Sequence, residues 1–308
     1  MKHILITILA LVLAFGAQAQ GTYKYAQKDT CDLYLDIWRP ASDAVTAADT
    51  LQKPAILYVF GGGFITGTRD DPFTVKWFNR LNNEGYTVVS IDYRLGMKDY
   101  QVGKGLSGTL KASDRFFLSQ QIGVEDVFSA VSFLASHPEL GISADNIVLS
   151  GSSAGAIISL ASAYAVANGK TEGLPEGFSG FKGVMSFAGG IISNEGAPKF
   201  KEAPCPLLLF HGTADEAVAY KFLGAFGRGI WGSSHIAGKL QKKGWPCCIY
   251  RFTGRTHAVA AYMDYLWPME EEFLDHVTRG ETYSVDATVD DPSLPTWWSV
   301  SIDDIYKK

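Results

Sequence analysis

The hexapeptide Ser150-Gly151-Ser152-Ser153-Ala154-Gly155 constrains this chain more than any other stretch. It is wedged between the apolar run Asn146 to Leu149 and an apolar, helix-forming stretch from Ala156 to Ala165. In the pattern G-x-S-x-G the central serine sits where a strand reverses into a helix, on a backbone so tight that only small neighbours fit. Gly151, Ala154 and Gly155 meet that demand, whereas Ser150 and Ser152 lack flanking glycines in register. The turn predicts that Ser153 projects its hydroxyl above the carboxyl edge of a parallel sheet, with a helix N-terminus behind it to favour developing negative charge. The same letters also fit a plain Gly/Ser turn, so the surrounding pattern has to decide.

That pattern alternates strand and helix. Tyr23 to Gln27 and Leu33 to Arg39 read as a strand pair, Ala41 to Lys53 as a polar loop, and Ala55 to Phe60 as a buried strand leading into Gly61-Gly62-Gly63-Phe64. A helix over Phe73 to Asn83, a strand over Tyr86 to Tyr93 and a helix over Gln120 to Ser136 follow. Gly96 to Ser113, rich in Gly, Lys and Ser, is too long for a simple connection and reads as a flexible rim over a site. Beyond the serine turn come apolar strands over Gly183 to Ala188, Pro206 to Phe210 and Cys248 to Phe252, with a helical piece around Ile236 and Leu240. A last helix spans Ala258 to Val277, kinked at Pro268, before a polar tail carrying Trp297 and Trp298. The order predicts an α/β fold: a mostly parallel central sheet with helices on both faces, in a single domain over 20–308.

Composition narrows the partners. A formal charge of −5 over 308 residues, with no Lys/Arg run, excludes the footprint of a nucleic-acid binder and favours small molecules. The glycine cluster matches neither the Walker nor the dinucleotide pattern, so no cofactor is expected. Residues 1–19 join a positive start, an apolar core and an Ala17-Gln18-Ala19 cleavage pattern, which reads as a signal peptide for a periplasmic or secreted protein. Its apolar run falls short of a spanning helix, so no stable membrane anchor remains after cleavage. That compartment permits disulfides. Cys205 bridges to Cys247 or Cys248 if their strands are neighbours, the alternative being buried free thiols. No cysteine, Cys31 included, has a metal-site spacing partner.

In parallel sheets, functional groups gather at the carboxyl ends of strands. Ser153 follows one strand, Asp215 a second and His257 a third. A hydroxyl is a weak nucleophile until a base takes its proton, and an imidazole base needs a carboxylate to fix its tautomer. Of the other histidines, His3 lies in the leader, His137 ends a helix, His211 precedes the acid, and His235 and His276 sit beside helical patterns. Glu216 and Glu195 are the alternative acids.

Five stretches, Gly61-Gly62-Gly63-Phe64, Asp92-Tyr93-Arg94-Leu95, the serine turn, His211-Gly212-Thr213-Ala214-Asp215, and His257 after Gly254, occur in one order across nearly the whole chain after the leader. In this the sequence resembles the α/β-hydrolase superfamily, and within it the bacterial carboxylesterases related to hormone-sensitive lipase. The resemblance implies a catalytic triad of Ser153, Asp215 and His257, with the oxyanion held by the backbone N–H groups of Gly62, Gly63 and Ala154. It implies a structural brace for Arg94, and as substrate a small or carbohydrate-borne carboxylic ester, acetyl or feruloyl groups among them. Phe60 departs from the group's usual His-Gly-Gly-Gly, because it cannot donate a hydrogen bond to hold the glycine loop. Phe64, Tyr100, Phe226 and Trp231 are the aromatic residues expected to line a substrate pocket. A peptidase or amidase using the same triad, and a silent binding protein on the same fold, are the competing readings.

Overall fold

A computed structural model describes residues 20–29, 31–41 and 52–295. The leader, most of the 41–53 loop and the tail with Trp297 and Trp298 lie outside them. Strands β1 (Gly21–Lys28) and β2 (Cys31–Trp38) form the expected antiparallel pair. β3 (Ala55–Val59) is buried along its whole length and runs into the glycine loop. Helix α1 (Pro72–Asn83) starts where Asp71 Oδ1 accepts from the N–H groups of Phe73 and Thr74, with Pro72 placed where no N–H is missed. Its apolar face buries Trp77, Phe78 and Leu81.

β4 (Val88–Ile91), α2 (Gly105–Ser136), β5 (Ile147–Ser152), α3 (Ala154–Ala167) and β6 (Gly183–Phe187) continue the alternation. After β7 (Gly190–Ser193) come β8 (Leu207–Gly212), β9 (Phe222–Ala225), β10 (Arg228–Gly232), α4 (Ser233–Lys242), β11 (Cys248–Phe252), α5 (Trp267–Thr278) and β12 (Val285–Val289). Nine strands make one sheet in the order β1-β2-β4-β3-β5-β6-β8-β11-β12, parallel from β4 to β12. With both faces covered, the central strands are continuous apolar runs rather than alternating ones. This is the α/β-hydrolase fold.

The structure departs from the sequence reading in several places, and the supposed polar tail supplies β12. Helix α2 begins at Gly105, so half of the supposed rim is helical. Gly108 is buried there against the backbone of Gly103, a packing that overrides the low helix propensity of a Gly/Ser stretch. A second sheet, β7-β10-β9, was not anticipated. The supposed long last helix divides into two 3₁₀ turns, His257–Ala261 and Met263–Tyr265, followed by α5. Pro268 lies in the first turn of α5, where it starts a helix instead of kinking one. All four cysteines are free thiols. β8 and β11 are indeed neighbours, but their register sets Cys248 opposite Leu208, past Cys205. Burial pushes the Cys205 thiol up to about 12.

Candidate active site

Ser153 stands at the junction of β5 and α3 with φ 52° and ψ −116°, a conformation that non-glycine residues rarely hold. The glycines around it are required by close approach. A Cβ on Gly155 would lie 1.9 Å from the Val59 carbonyl oxygen, and one on Gly151 2.4 Å from the backbone of Gly155. Ser153 also occupies the N-cap of α3, where a serine usually turns its hydroxyl onto the helix, yet its side chain makes no capping bond. Its Oγ lies 2.8 Å from His257 Nε2 instead.

His257 is buried, and its Nδ1 lies 2.8 Å from Asp215 Oδ2. Asp215 is anchored through its other oxygen, which accepts from the N–H groups of Ala217 and Val218 at 2.9 and 3.0 Å. The loops carrying Asp215 and His257 are pinned together by the Ala214 N–H to the Arg255 carbonyl at 3.0 Å. Burial alone would raise the Asp215 carboxyl, but hydrogen bonds from His211 and His257 outweigh it and hold the group well below the usual carboxylate range. Three residues distant in sequence thus meet at one sheet edge, and Asp215, not Glu216 or Glu195, is the carboxylate paired with His257.

His211 was set aside in the sequence because it precedes the acid, yet it is fully buried beside it. Its Nε2 lies 2.9 Å from the Val218 carbonyl and 3.3 Å from Asp215 Oδ2, and its Nδ1 lies 2.8 Å from Ser233 Oγ. Because a carbonyl only accepts, Nε2 carries a proton, so Asp215 Oδ2 faces two imidazoles. The signal was present in His211-Gly212-Thr213-Ala214-Asp215, whose spacing brings an imidazole back onto the carboxylate four residues on.

The glycine loop has positive φ at Gly62 and Gly63 (109° and 64°) and is held without the usual histidine. The Gly62 carbonyl accepts from the N–H groups of Ile65 and Thr66, and the Phe64 carbonyl accepts from Met97. Tyr93 donates its hydroxyl to the Gly61 carbonyl at 3.4 Å and packs its ring 4.5 Å from that of Phe60. Phe60 therefore anchors the loop by packing where a histidine would bond. Arg94 binds the fully buried Asp126 and also Glu125, tying the end of β4 to α2 away from the triad.

Gly63, Ser153 and Ala154 open onto a cleft of about 270 Å³ between the start of α2 and the β9–β10 hairpin. Its walls are almost wholly apolar, including Leu110, Phe116, Ile157, Ile192 and Leu223, none of them singled out in the sequence because they belong to α2, α3 and the second sheet. Phe64 and Phe226 line it as expected. Tyr100 and Trp231 do not. Tyr100 packs against the core under Arg115, and Trp231 is buried against Phe222 on the hairpin. Gly62 borders a second cavity on the far side of the loop. No cluster of metal-ligating side chains, and no helix long and apolar enough to cross a membrane, occurs among the described residues.

A strained serine at a strand-to-helix turn, relayed through a buried histidine to a buried aspartate on an α/β-hydrolase sheet, defines the serine hydrolase class. Residues 14–174, a little over half of the chain, match the carboxylesterase family, and the chain belongs to it. A chlorogenic acid esterase of Aspergillus niger is 29% identical over 134 residues, which cover 43% of this chain and 24% of that protein. The match thus spans about a quarter of the fungal protein's length. Among solved structures, the butyrate-bound esterase of the planctomycete Thermogutta terrifontis aligns with TM-score 0.57 and 23% identity over 85% of this chain and 94% of its own. The propionate-bound form of the same protein aligns with TM-score 0.57 and 24% identity over the same shares. At that identity these structures establish the fold.

Proposed function

We propose that this chain is an exported serine carboxylesterase that cleaves esters through an acyl-enzyme on Ser153. The observation that carries the reading is the pair of 2.8 Å contacts, Ser153 Oγ to His257 Nε2 and His257 Nδ1 to Asp215 Oδ2. As Ser153 Oγ attacks the ester carbon, its proton passes to His257 Nε2 and the carbonyl oxygen becomes an oxyanion. The N–H groups of Gly62, Gly63 and Ala154 receive that charge, each donor worth about 3 kcal/mol in the transition state. His257 then returns the proton to the departing alcohol oxygen. Water repeats the sequence in reverse roles, giving its proton to His257, forming the acid and restoring the Ser153 hydroxyl.

The acyl group lies in the apolar cleft, whose aromatic and branched walls at Phe64, Phe116, Ile157 and Ile192 suit short aliphatic and aromatic acids. The name of the fungal relative and the ligands of the planctomycete esterase support the same range, with acetyl and feruloyl esters of carbohydrates as the preferred substrates. The test is a fluorophosphonate label on Ser153, coupled to rates on aryl acetates, butyrates, feruloylated sugars and aminoacyl anilides. Ester turnover abolished by Ser153→Ala is the expected result. Faster cleavage of the anilides, or no label on Ser153, would refute it. Export is checked separately: the mature protein begins at Gln20 after cleavage behind Ala19.

A further inference from the structure

His211 stands one residue from the end of β8 with its whole ring buried beside Asp215, and it does not line the apolar cleft. An imidazole is buried at a cost unless each ring nitrogen finds a partner, and here both do. Close packing arranges this. A Cβ on Gly232 would lie 1.8 Å from the Ala219 carbonyl oxygen, so the start of α4 is pressed against the segment that follows Asp215. Ser233 thereby reaches His211 Nδ1 at 2.8 Å, and the same hydroxyl lies 3.2 Å from the Gly189 carbonyl beyond β6. On the other edge of the ring, Nε2 faces two acceptors, the Val218 carbonyl at 2.9 Å and Asp215 Oδ2 at 3.3 Å.

Asp215 therefore faces four N–H groups, those of Ala217 and Val218 at Oδ1 and those of His257 and His211 at Oδ2. Held at both oxygens, the carboxylate cannot turn, and Oδ2 stays aimed at His257 Nδ1. Its charge is also shared. A carboxylate that faces a second imidazole pulls less strongly on the proton His257 takes from Ser153, and a proton held less strongly passes more readily to the departing alcohol. The other ionisable groups around the ring are differently engaged. Tyr220 meets it edge-on with ring centres 5.6 Å apart, Arg251, opposite His211 on β11, is bonded to Asp286, and Glu216 is exposed.

We propose that His211, held by Ser233, is a positioning residue for ester cleavage: it fixes Asp215 Oδ2 on His257 and tempers the basicity of that imidazole. This role rests on the esterase reading above and deepens it.

The test compares His211→Leu, which removes both nitrogens, with His211→Gln, whose amide keeps a donor near the position of Nε2. Fluorophosphonate titration counts the active sites of each. On p-nitrophenyl butyrate, His211→Leu loses about tenfold in kcat on the alkaline plateau at unchanged KM. The acid limb of its kcat/KM profile, which reports loss of the proton from His257, moves up by about half a unit, because the unshared carboxylate holds that proton more tightly. His211→Gln recovers most of both. Nitrogen NMR of the parent, which needs no variant to fold, finds a proton on His211 Nε2. The assignment is overturned, with the esterase reading intact, by a His211→Leu enzyme equal to its parent, by a fall in kcat with the acid limb unmoved, by a His211→Gln enzyme no better than His211→Leu, or by a His211 proton on Nδ1 alone. A folded parent that turns over no ester overturns both.

Discussion

Replacing Asp215 by asparagine asks whether the triad works through the proton on the imidazole. The side chain keeps its size, and one of its two outer atoms has to face the N–H groups of Ala217 and Val218, now at 2.9 and 3.0 Å from Oδ1. Only the amide oxygen accepts, so it stays there, since turning the NH₂ group toward two buried N–H donors would leave both unsatisfied at about 1–3 kcal/mol each. The NH₂ group is then forced toward His257 Nδ1, and toward His211 as well. An imidazole that accepts at Nδ1 carries its proton on Nε2, the atom 2.8 Å from Ser153 Oγ, and has no lone pair with which to take the hydroxyl proton. The expected loss is about 10⁴-fold in kcat with little change in KM, or about 5.4 kcal/mol at 1.36 kcal/mol per decade. Steady-state rates on p-nitrophenyl butyrate measure the loss, and nitrogen NMR of the His257 ring reads the tautomer directly. A variant within tenfold of its parent, or one whose ring keeps its proton on Nδ1, would refute the reasoning.

Three further changes probe the cleft, the loop and the core. Ala112→Phe narrows the apolar cleft that Ala112 lines, so the ratio of kcat/KM for feruloyl over acetyl esters should fall at least tenfold; an unchanged ratio removes the acyl group from that cleft. Tyr93→Phe keeps the ring against Phe60 but deletes the hydroxyl bond to the Gly61 carbonyl, and kcat should drop about threefold to tenfold at constant KM, with equal kcat refuting a role for that bond. Glu270 is fully buried on α5, accepting from Trp77 Nε1 at 2.7 Å, and burial raises its carboxyl well above the ordinary value despite that bond. A carboxyl raised on folding contributes stability that is present below its unfolded pKa and is lost as pH rises through the folded one. Glu270→Gln should therefore gain melting temperature over its parent as the pH is raised from 5 to 8, and a pH-independent difference would contradict this.

The triad was legible because each member follows a strand whose apolar run is bounded by glycine, at Gly151, Gly212 and Gly254. Tight turns of that kind leave a mark in single residues. The cleft was not legible in the same way. Its walls come from the first turns of α2, whose Gly and Ser content disguises a helix stabilised by tertiary contact, and from β9 and β10, short strands rich in glycine and alanine whose pairing is set across space. Ala258 to Val277 misled for the opposite reason: apolar residues recur along all of it, while the backbone divides at Tyr262 and Leu266 and the α-helix starts only at Trp267. Trp231 illustrates how residue type alone fails, since the same aromatic bulk serves a hairpin's own packing as readily as a ligand's.

Reaction and selectivity ride on different pieces of this molecule. Ser153, Asp215 and His257 all hang from the nine-stranded sheet, whereas one wall of the apolar cleft proposed to take the acyl group hangs from the hairpin of the small one, whose tip is Phe226, 84% exposed and followed by Gly227. Val218 touches both Asp215 and His211, its carbonyl facing the imidazole and its N–H the carboxylate. On the proposed reading, a longer or shorter ribbon at 221–229 is expected to change which acids are released while leaving the contacts among Ser153, His257 and Asp215 in place.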